Sequence, residues 1–275
     1  MKQTNSMVER LAVTAIMLAA ATLLSIFKLV DLPYGGSVTL ASLFPILILA
    51  MRYGTPWGML SGLVYGALQL ALGAKVLTYV TTPASVIAVI LLDYGIAFAL
   101  IGLGGITRKM KSQPIAFLLG AMIACVLRYL SHVISGATVW AGLSIPTEAA
   151  LIYSFIYNAT YMLPEMLILM IVSFYIASAL NFRTPRLRAY HGKDAYSATR
   201  ILLYIAGAIV AAAAIFDVAS IFAVLQNAET GEFQFENIVA VDWKWIILAS
   251  AVAIAVAVVL ILVYVFTKKQ KEAAE

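Results

Sequence analysis

Apolar runs of about 20 residues, separated by short polar breaks, organise the whole chain, and each run is long enough to cross roughly 30 Å of hydrocarbon as a helix. They fall near residues 8–28, 40–52, 57–74, 84–107, 114–138, 149–180, 200–226 and 243–267. The run 40–52 is short for a span, and Pro45 with the following Arg52 and Gly54 predicts a broken or partial helix there. The pattern predicts an all-α polytopic membrane protein. It divides into a membrane domain over 1–180, a basic linker over 181–199, and a two-helix transmembrane hairpin with a tail over 200–275. No repeat, low-complexity tract or soluble domain interrupts it.

Composition agrees with this class. Of 275 residues 63% are hydrophobic and 11% charged, whereas a soluble domain is about a quarter charged. The net charge of +5 reflects cytoplasmic loops rich in Lys and Arg rather than a nucleic-acid partner. Lys2, Arg10, Arg52, Arg108, Lys109, Lys111, the linker cations Arg183, Arg186, Arg188, Lys193 and Arg200, and Lys268, Lys269 and Lys271 fall on one side. The other side holds Lys28, Lys75 and Lys244 against Asp31, Glu148, Glu229, Glu232, Glu236 and Asp242. The positive-inside rule then makes both termini cytoplasmic, and an even number of spans agrees with their lying on one side. The apolar start of the chain resembles a signal-peptide core, but its length predicts a retained span. Cys125 stands alone in the sequence, so it forms no intramolecular disulfide and reads as helix packing. No metal site or cofactor is expected.

Four full charges lie within apolar spans: Asp93, Arg128, Glu165 and Asp217. Such a charge costs roughly 3 kcal/mol or more at mid-membrane, so it faces protein or a watery cavity. Asp93 lies about nine residues, or roughly 13 Å, below the outer end of its helix. Arg128, His132, Gly136 and Trp140 are spaced by four and form one stripe near the outer end of the fifth run. Tyr153 and Asn158 lie in the outer half of the sixth. Asp93, His132, Trp140, Tyr153 and Asn158 therefore share one depth and read as the walls of an outward-facing pocket. Each also has a structural reading. Asp93 neutralises Arg128, His132 and Asn158 tie helices together, and Trp140 and Tyr153 anchor the interface. Glu165 follows Pro164 and marks either a helix break or a substrate contact, while Asp217 has no polar company in its run.

A carboxylate among aromatic faces suits a flat organic cation, paired with the charge and attracted to the rings. Catalysis is less well supported, because no HExxH and no paired carboxylates on one helix occur. No GxxxxGK[ST] loop is present, so the chain cannot itself use ATP by the usual route.

Five stretches carry a resemblance: residues 35–54 (GGSVTLASLFPILILAMRYG), 62–73 (GLVYGALQLALG), 92–105 (LDYGIAFALIGLGG), 128–140 (RYLSHVISGATVW) and 153–165 (YSFIYNATYMLPE). In this order they resemble the thiamine-specific substrate-binding (S) subunits of energy-coupling factor (ECF) transporters, the ThiT family, over residues 8 to about 180. The resemblance implies a six-helix fold that binds thiamine from outside and docks on a shared transmembrane scaffold subunit driven by two ATPase subunits. It places a carboxylate–aromatic pair on Asp93 and Tyr94, and further substrate-binding positions on His132, Gly136, Trp140, Tyr153 and Asn158. Family members often have Glu where this chain has Asp93 and Trp where it has Tyr65. Tyr34 is the nearest candidate for an aromatic lid in the first outer loop, with Gly35 and Gly36 to hinge it. On the first helix, Ala15 and Ala19 form the small face that implies docking on the scaffold.

The resemblance also implies a bacterial plasma-membrane location. It leaves the hairpin over 200–266 without a family counterpart, as a peripheral accessory or a partner contact. Other functions stay open at this point: uptake of a thiamine precursor or analogue, a stand-alone transporter relaying protons through Asp93, Glu165 and Asp217, or an intramembrane enzyme.

Overall fold

A computed structural model describes residues 7–32, 36–143, 147–148, 150–184, 186–191, 201–225 and 234–274. The chain forms two compact units, Met1–Asp194 and Ala195–Glu275. The first contains α1 (Met7–Ile26), a short antiparallel hairpin of β1 (Lys28–Asp31) and β2 (Ser37–Thr39), α2 (Phe44–Tyr53), α3 (Thr55–Leu72), α4 (Pro83–Lys109), α5 (Gln113–Thr138) and α6 (Ala150–Ala179). A two-residue ribbon, β3 (Leu180–Asn181) with β4 (Arg188–Ala189), follows α6. The second unit holds α7 (Ile201–Leu225) and α8 (Trp243–Ala274).

All eight apolar runs form helices, and among the described residues six are long and apolar enough to cross a membrane: α1, α4, α5, α6, α7 and most of α8. The partial helix expected near 40–52 is α2, only 10 residues long, and every residue from Phe44 to Met51 is buried. It packs against α1, α3, α4, α5 and α6. A helix too short to span is tolerated where protein surrounds it. Pro45 sits in its first turn, where the missing N–H removes no helical bond. Gly54 ends it at φ +102°, a conformation open to glycine and strained for other residues, and α3 starts at the next residue.

Gly58, Gly62 and Gly66 give α3 a stripe with no side chains. A Cβ on Gly62 would stand 2.2 Å from the Phe98 carbonyl oxygen, and one on Gly66 only 2.0 Å from that of Tyr94. Helices α3 and α4 therefore touch backbone to backbone, as small residues permit in membranes. Helix α4 is not uniform. It is α-helical over Pro83–Val89, π-helical over Ile90–Ile96, α-helical again over Ala97–Ala99, and 3-10 helical over Leu100–Lys109. Such π-turns recur at functional positions, and Asp93 and Tyr94 lie inside this one.

Polar bonds close the bundle. On α3, Trp57 Nε1 donates to Thr14 Oγ1 (2.9 Å), the Tyr65 hydroxyl to the Ala21 carbonyl (3.2 Å), and Gln69 Nε2 to Ser25 Oγ (3.0 Å), tying α1 in place. At the start of α5, Gln113 is buried. Its Nε2 donates to the carbonyls of Ala177 and Leu180 (both 2.7 Å), and its Oε1 accepts the Phe182 N–H (3.0 Å). These bonds satisfy carbonyls that the end of α6 leaves without helical partners.

In the second unit α7 packs on α8. Asp217, without polar company in its own run, accepts a hydrogen bond from the Ser250 hydroxyl of α8. The partner lies 33 residues away, out of reach of any reading of one helix.

Candidate functional site

The π-turn of α4 delivers Asp93 to α5. His132 Nδ1 lies 3.0 Å from Oδ1, the Ser135 hydroxyl donates to Oδ2 at 2.8 Å, and Trp140 Nε1 donates to the same oxygen at 3.1 Å. An ionised Asp93 would only accept, which would place a proton on His132 Nδ1, and in the neutral ring Nε2 would then be an acceptor. That Nε2 is buried and has no protein hydrogen-bond partner among the described residues. Buried polar atoms in that condition call for an explanation.

Apolar and aromatic groups surround this polar knot. Trp140 is buried together with Val76, Val80 and Val89, and Leu77, Tyr79, Val86, Tyr94, Val139, Ala150 and Tyr153 pack against that cluster. Three of its members, Val76, Leu77 and Tyr79, come from the 3-10 turn Ala74–Tyr79, and Val80 follows directly. This segment falls in the break between the apolar runs 57–74 and 84–107, and its aromatic ring is the signal that marks it.

Asn158 stands one step from the carboxylate. Its Nδ2 donates to the His132 carbonyl (3.3 Å) and to the Ser154 carbonyl and hydroxyl (2.9 and 3.2 Å), and its Oδ1 accepts from Tyr161 (2.6 Å). Its amide fixes α5 and α6 at the level of His132. Gly36, at the end of the β1–β2 turn, lies against the Tyr161 ring: a Cβ there would come within 2.9 Å of it. Tyr34, the expected lid residue, lies outside the described residues.

Arg128 does not neutralise Asp93. Its Nη1 donates to Glu165 Oε2 at 2.6 Å, and Glu165 Oε1 accepts the Thr39 hydroxyl of β2 at 2.9 Å. The Arg128 guanidinium also lies 5.0 Å from the centre of the Phe98 ring. Helix α6 runs through Pro164 without ending, so Glu165 is neither at a helix break nor free. It is the counter-ion of Arg128.

The structure thus gathers Asp93, Tyr94, His132, Trp140 and Tyr153 in one place, with Asn158 adjoining. Gly136 is buried in α5 beside Ser135. Tyr65 stands apart, fully buried, its ring edge-on to Phe98 at 5.3 Å and its hydroxyl on α1. Ala15 and Ala19 are exposed along α1. Ser135, absent from the sequence reading, is the addition. A hydroxyl in an apolar span needs a partner, and that was its only mark.

The sequence model of the family described as "Thiamine transporter protein (Thia_YuaJ)" matches residues 11–183. The chain belongs to this family. It is 36% identical over 184 residues to the thiamine transporter ThiT of Bacillus subtilis (strain 168), an alignment spanning 62% of this chain and 91% of that protein. To the thiamine transporter ThiT of Lacticaseibacillus paracasei it is 32% identical over 140 residues, 47% of this chain and 64% of that one. A solved structure of ThiT from Listeria monocytogenes superposes with a TM-score of 0.51 at 23% identity, covering 61% of this chain and 92% of the other. That is a likeness of fold. The family is one of membrane transport proteins, not enzymes, and its match contains all of α2 to α6 while α7 and α8 lie beyond it.

Proposed function

We propose that the chain is the thiamine-binding subunit of an ECF-type, ATP-driven importer, capturing thiamine from outside at the Asp93 cluster. One observation carries this reading: Glu165 takes up the charge of Arg128, so Arg128 does not cancel the charge of an ionised Asp93 beside Trp140, Tyr94 and Tyr153. A desolvated carboxylate among rings attracts a flat organic cation by charge and by cation–π contact. Thiamine has a positively charged thiazolium ring, and its aminopyrimidine has N–H groups for His132 Nε2. The names of the relatives support the same ligand.

In this reading His132, Gly136, Trp140, Tyr153 and Asn158 line the site with Asp93 and Tyr94. Tyr65 supports it from behind, and Tyr34, outside the described residues, is the lid candidate that the family resemblance implies. Ala15 and Ala19 on the open face of α1 dock on the scaffold subunit that works with two ATPase subunits. Both termini are cytoplasmic, in a bacterial plasma membrane. Glu165, held by Arg128 and Thr39, is poorly placed to relay protons, which weighs against a stand-alone proton-coupled carrier.

The test is a fluorescence titration of the purified chain. Thiamine should quench Trp emission strongly, and hydroxymethylpyrimidine should compete weakly or not at all. A protein indifferent to thiamine but bound by another vitamin or by the pyrimidine alone defeats the assignment.

A further inference from the structure

Two serines on α5 engage consecutive residues of the α4 π-turn. Ser131 Oγ donates to the Leu92 carbonyl at 2.9 Å, and Ser135 Oγ donates to Asp93 Oδ2 at 2.8 Å. Being four apart, they stand on one face of α5, one turn from each other. Both are buried, Ser135 completely. Alanine would fill nearly the same volume, so what serine adds at these positions is its hydrogen bond.

The π-turn is the reason such bonds matter. Within it the Leu92 carbonyl accepts the N–H of Ala97, five residues on, and the extra residue per turn rotates Asp93 away from its α-helical direction. Ser131 holds the backbone of that turn, and Ser135 holds its carboxylate. The two oxygens of Asp93 are then unequal. Oδ2 accepts from both Ser135 and Trp140, whereas among the described residues Oδ1 is paired with His132 alone. A carboxylate oxygen offers about two acceptor sites, so Oδ2 is filled by protein and Oδ1 keeps capacity for a ligand.

We infer that Ser135, with Ser131 behind it, is a positioning and specificity-determining residue: it occupies Oδ2 and so directs the Oδ1 edge of Asp93, with its charge, at the cationic part of the ligand. The inference rests on the proposed thiamine-binding function and adds to it how charge selectivity arises. Loss of the serine frees the carboxylate to turn, and a rotated carboxylate serves a cationic ligand worse while leaving contacts with a neutral one almost untouched.

The full-length purified chain is titrated with thiamine and with an uncharged isostere in which carbon replaces the thiazolium nitrogen. For Ser135→Ala, thiamine affinity should fall about tenfold, because the carboxylate is no longer held toward the cationic part of the ligand. Affinity for the isostere should stay within about twofold. Ser131→Ala should show the same selective loss at smaller size, and ligand-free melting temperatures of all variants report whether each folds. If wild-type protein binds thiamine but Ser135→Ala leaves affinity unchanged, or weakens both ligands equally, the inference is overturned and the functional reading stands. If wild-type protein binds neither ligand, both fall together.

Discussion

Arg128 Nη1 lies 2.6 Å from Glu165 Oε2, joining the middle of α5 to the residue after Pro164 on α6. Removing one partner of a buried pair leaves the other charge uncompensated, at a cost of about 3–5 kcal/mol. Glu165→Gln should therefore lower stability by about 3 kcal/mol, read as a fall in melting temperature in detergent, whereas Arg128→Met combined with Glu165→Leu should recover at least about half of that. An unaltered melt for Glu165→Gln alone means the pair carries no weight.

Asp93 makes the contrasting prediction. Asp93→Asn keeps the shape of the side chain and removes its charge, so thiamine affinity should fall at least about 100-fold, equivalent to ~2.7 kcal/mol. The ligand-free protein should melt no lower than wild type, because one desolvated charge is gone. Binding kept within about threefold, under 1 kcal/mol, excludes Asp93 as the cation partner.

Trp140→Phe separates the ring from its N–H. The substitution keeps an aromatic face within the Val76, Val80 and Val89 cluster but deletes the 3.1 Å bond to Asp93. Affinity should drop about tenfold, because Asp93 loses one of the donors that hold its orientation. Most of the thiamine-dependent fluorescence quenching should vanish with the indole. Full quenching in the variant points to Trp57, Trp243 or Trp245 as the reporter instead.

At Gly66 a methyl group has no room, since its Cβ would lie 2.0 Å from the Tyr94 carbonyl oxygen. Gly66→Ala must push α4 away from α3 at the residue beside Asp93. Overpacking of this kind costs about 1–3 kcal/mol, so both the melting temperature and thiamine affinity should decline. A variant that binds and melts like wild type shows that α3 and α4 separate easily.

Shortening the chain to residues 1–194 tests how far the site depends on the hairpin. Every described group around Asp93 belongs to the first unit, and the family match stops at residue 183. Thiamine affinity of the shortened protein should lie within about threefold of full length, under 1 kcal/mol. A larger loss assigns α7 and α8 a part in ligand capture.

Much of this was readable from the chain. A carboxylate, an imidazole, an indole and a phenol at one depth are properties of position within single helices, and Asp93, His132, Trp140 and Tyr153 do meet. The four-residue spacing of Arg128 and His132 was equally plain. Which acid Arg128 chooses was not, because Asp93 and Glu165 sit on two neighbouring helices and only their rotation about α5 decides between them. Asp217 posed the same difficulty, its Ser250 partner lying on another helix. The π-turn was also hidden. Residues 84–107 read as one regular apolar run, and the π-turn lies where α4 meets glycines of α3 and serines of α5.

By itself the sequence determined the membrane class and the helices, since hydrocarbon thickness and the helical repeat act along one dimension, and its five motifs carried the resemblance to the family. Tertiary structure alone decided the pairing: Arg128 with Glu165, Asp93 with His132, Ser135 and Trp140, and Asp217 with Ser250. A buried charge or hydroxyl must find a partner in apolar surroundings, and the helix facing it, not its neighbour in the chain, supplies one.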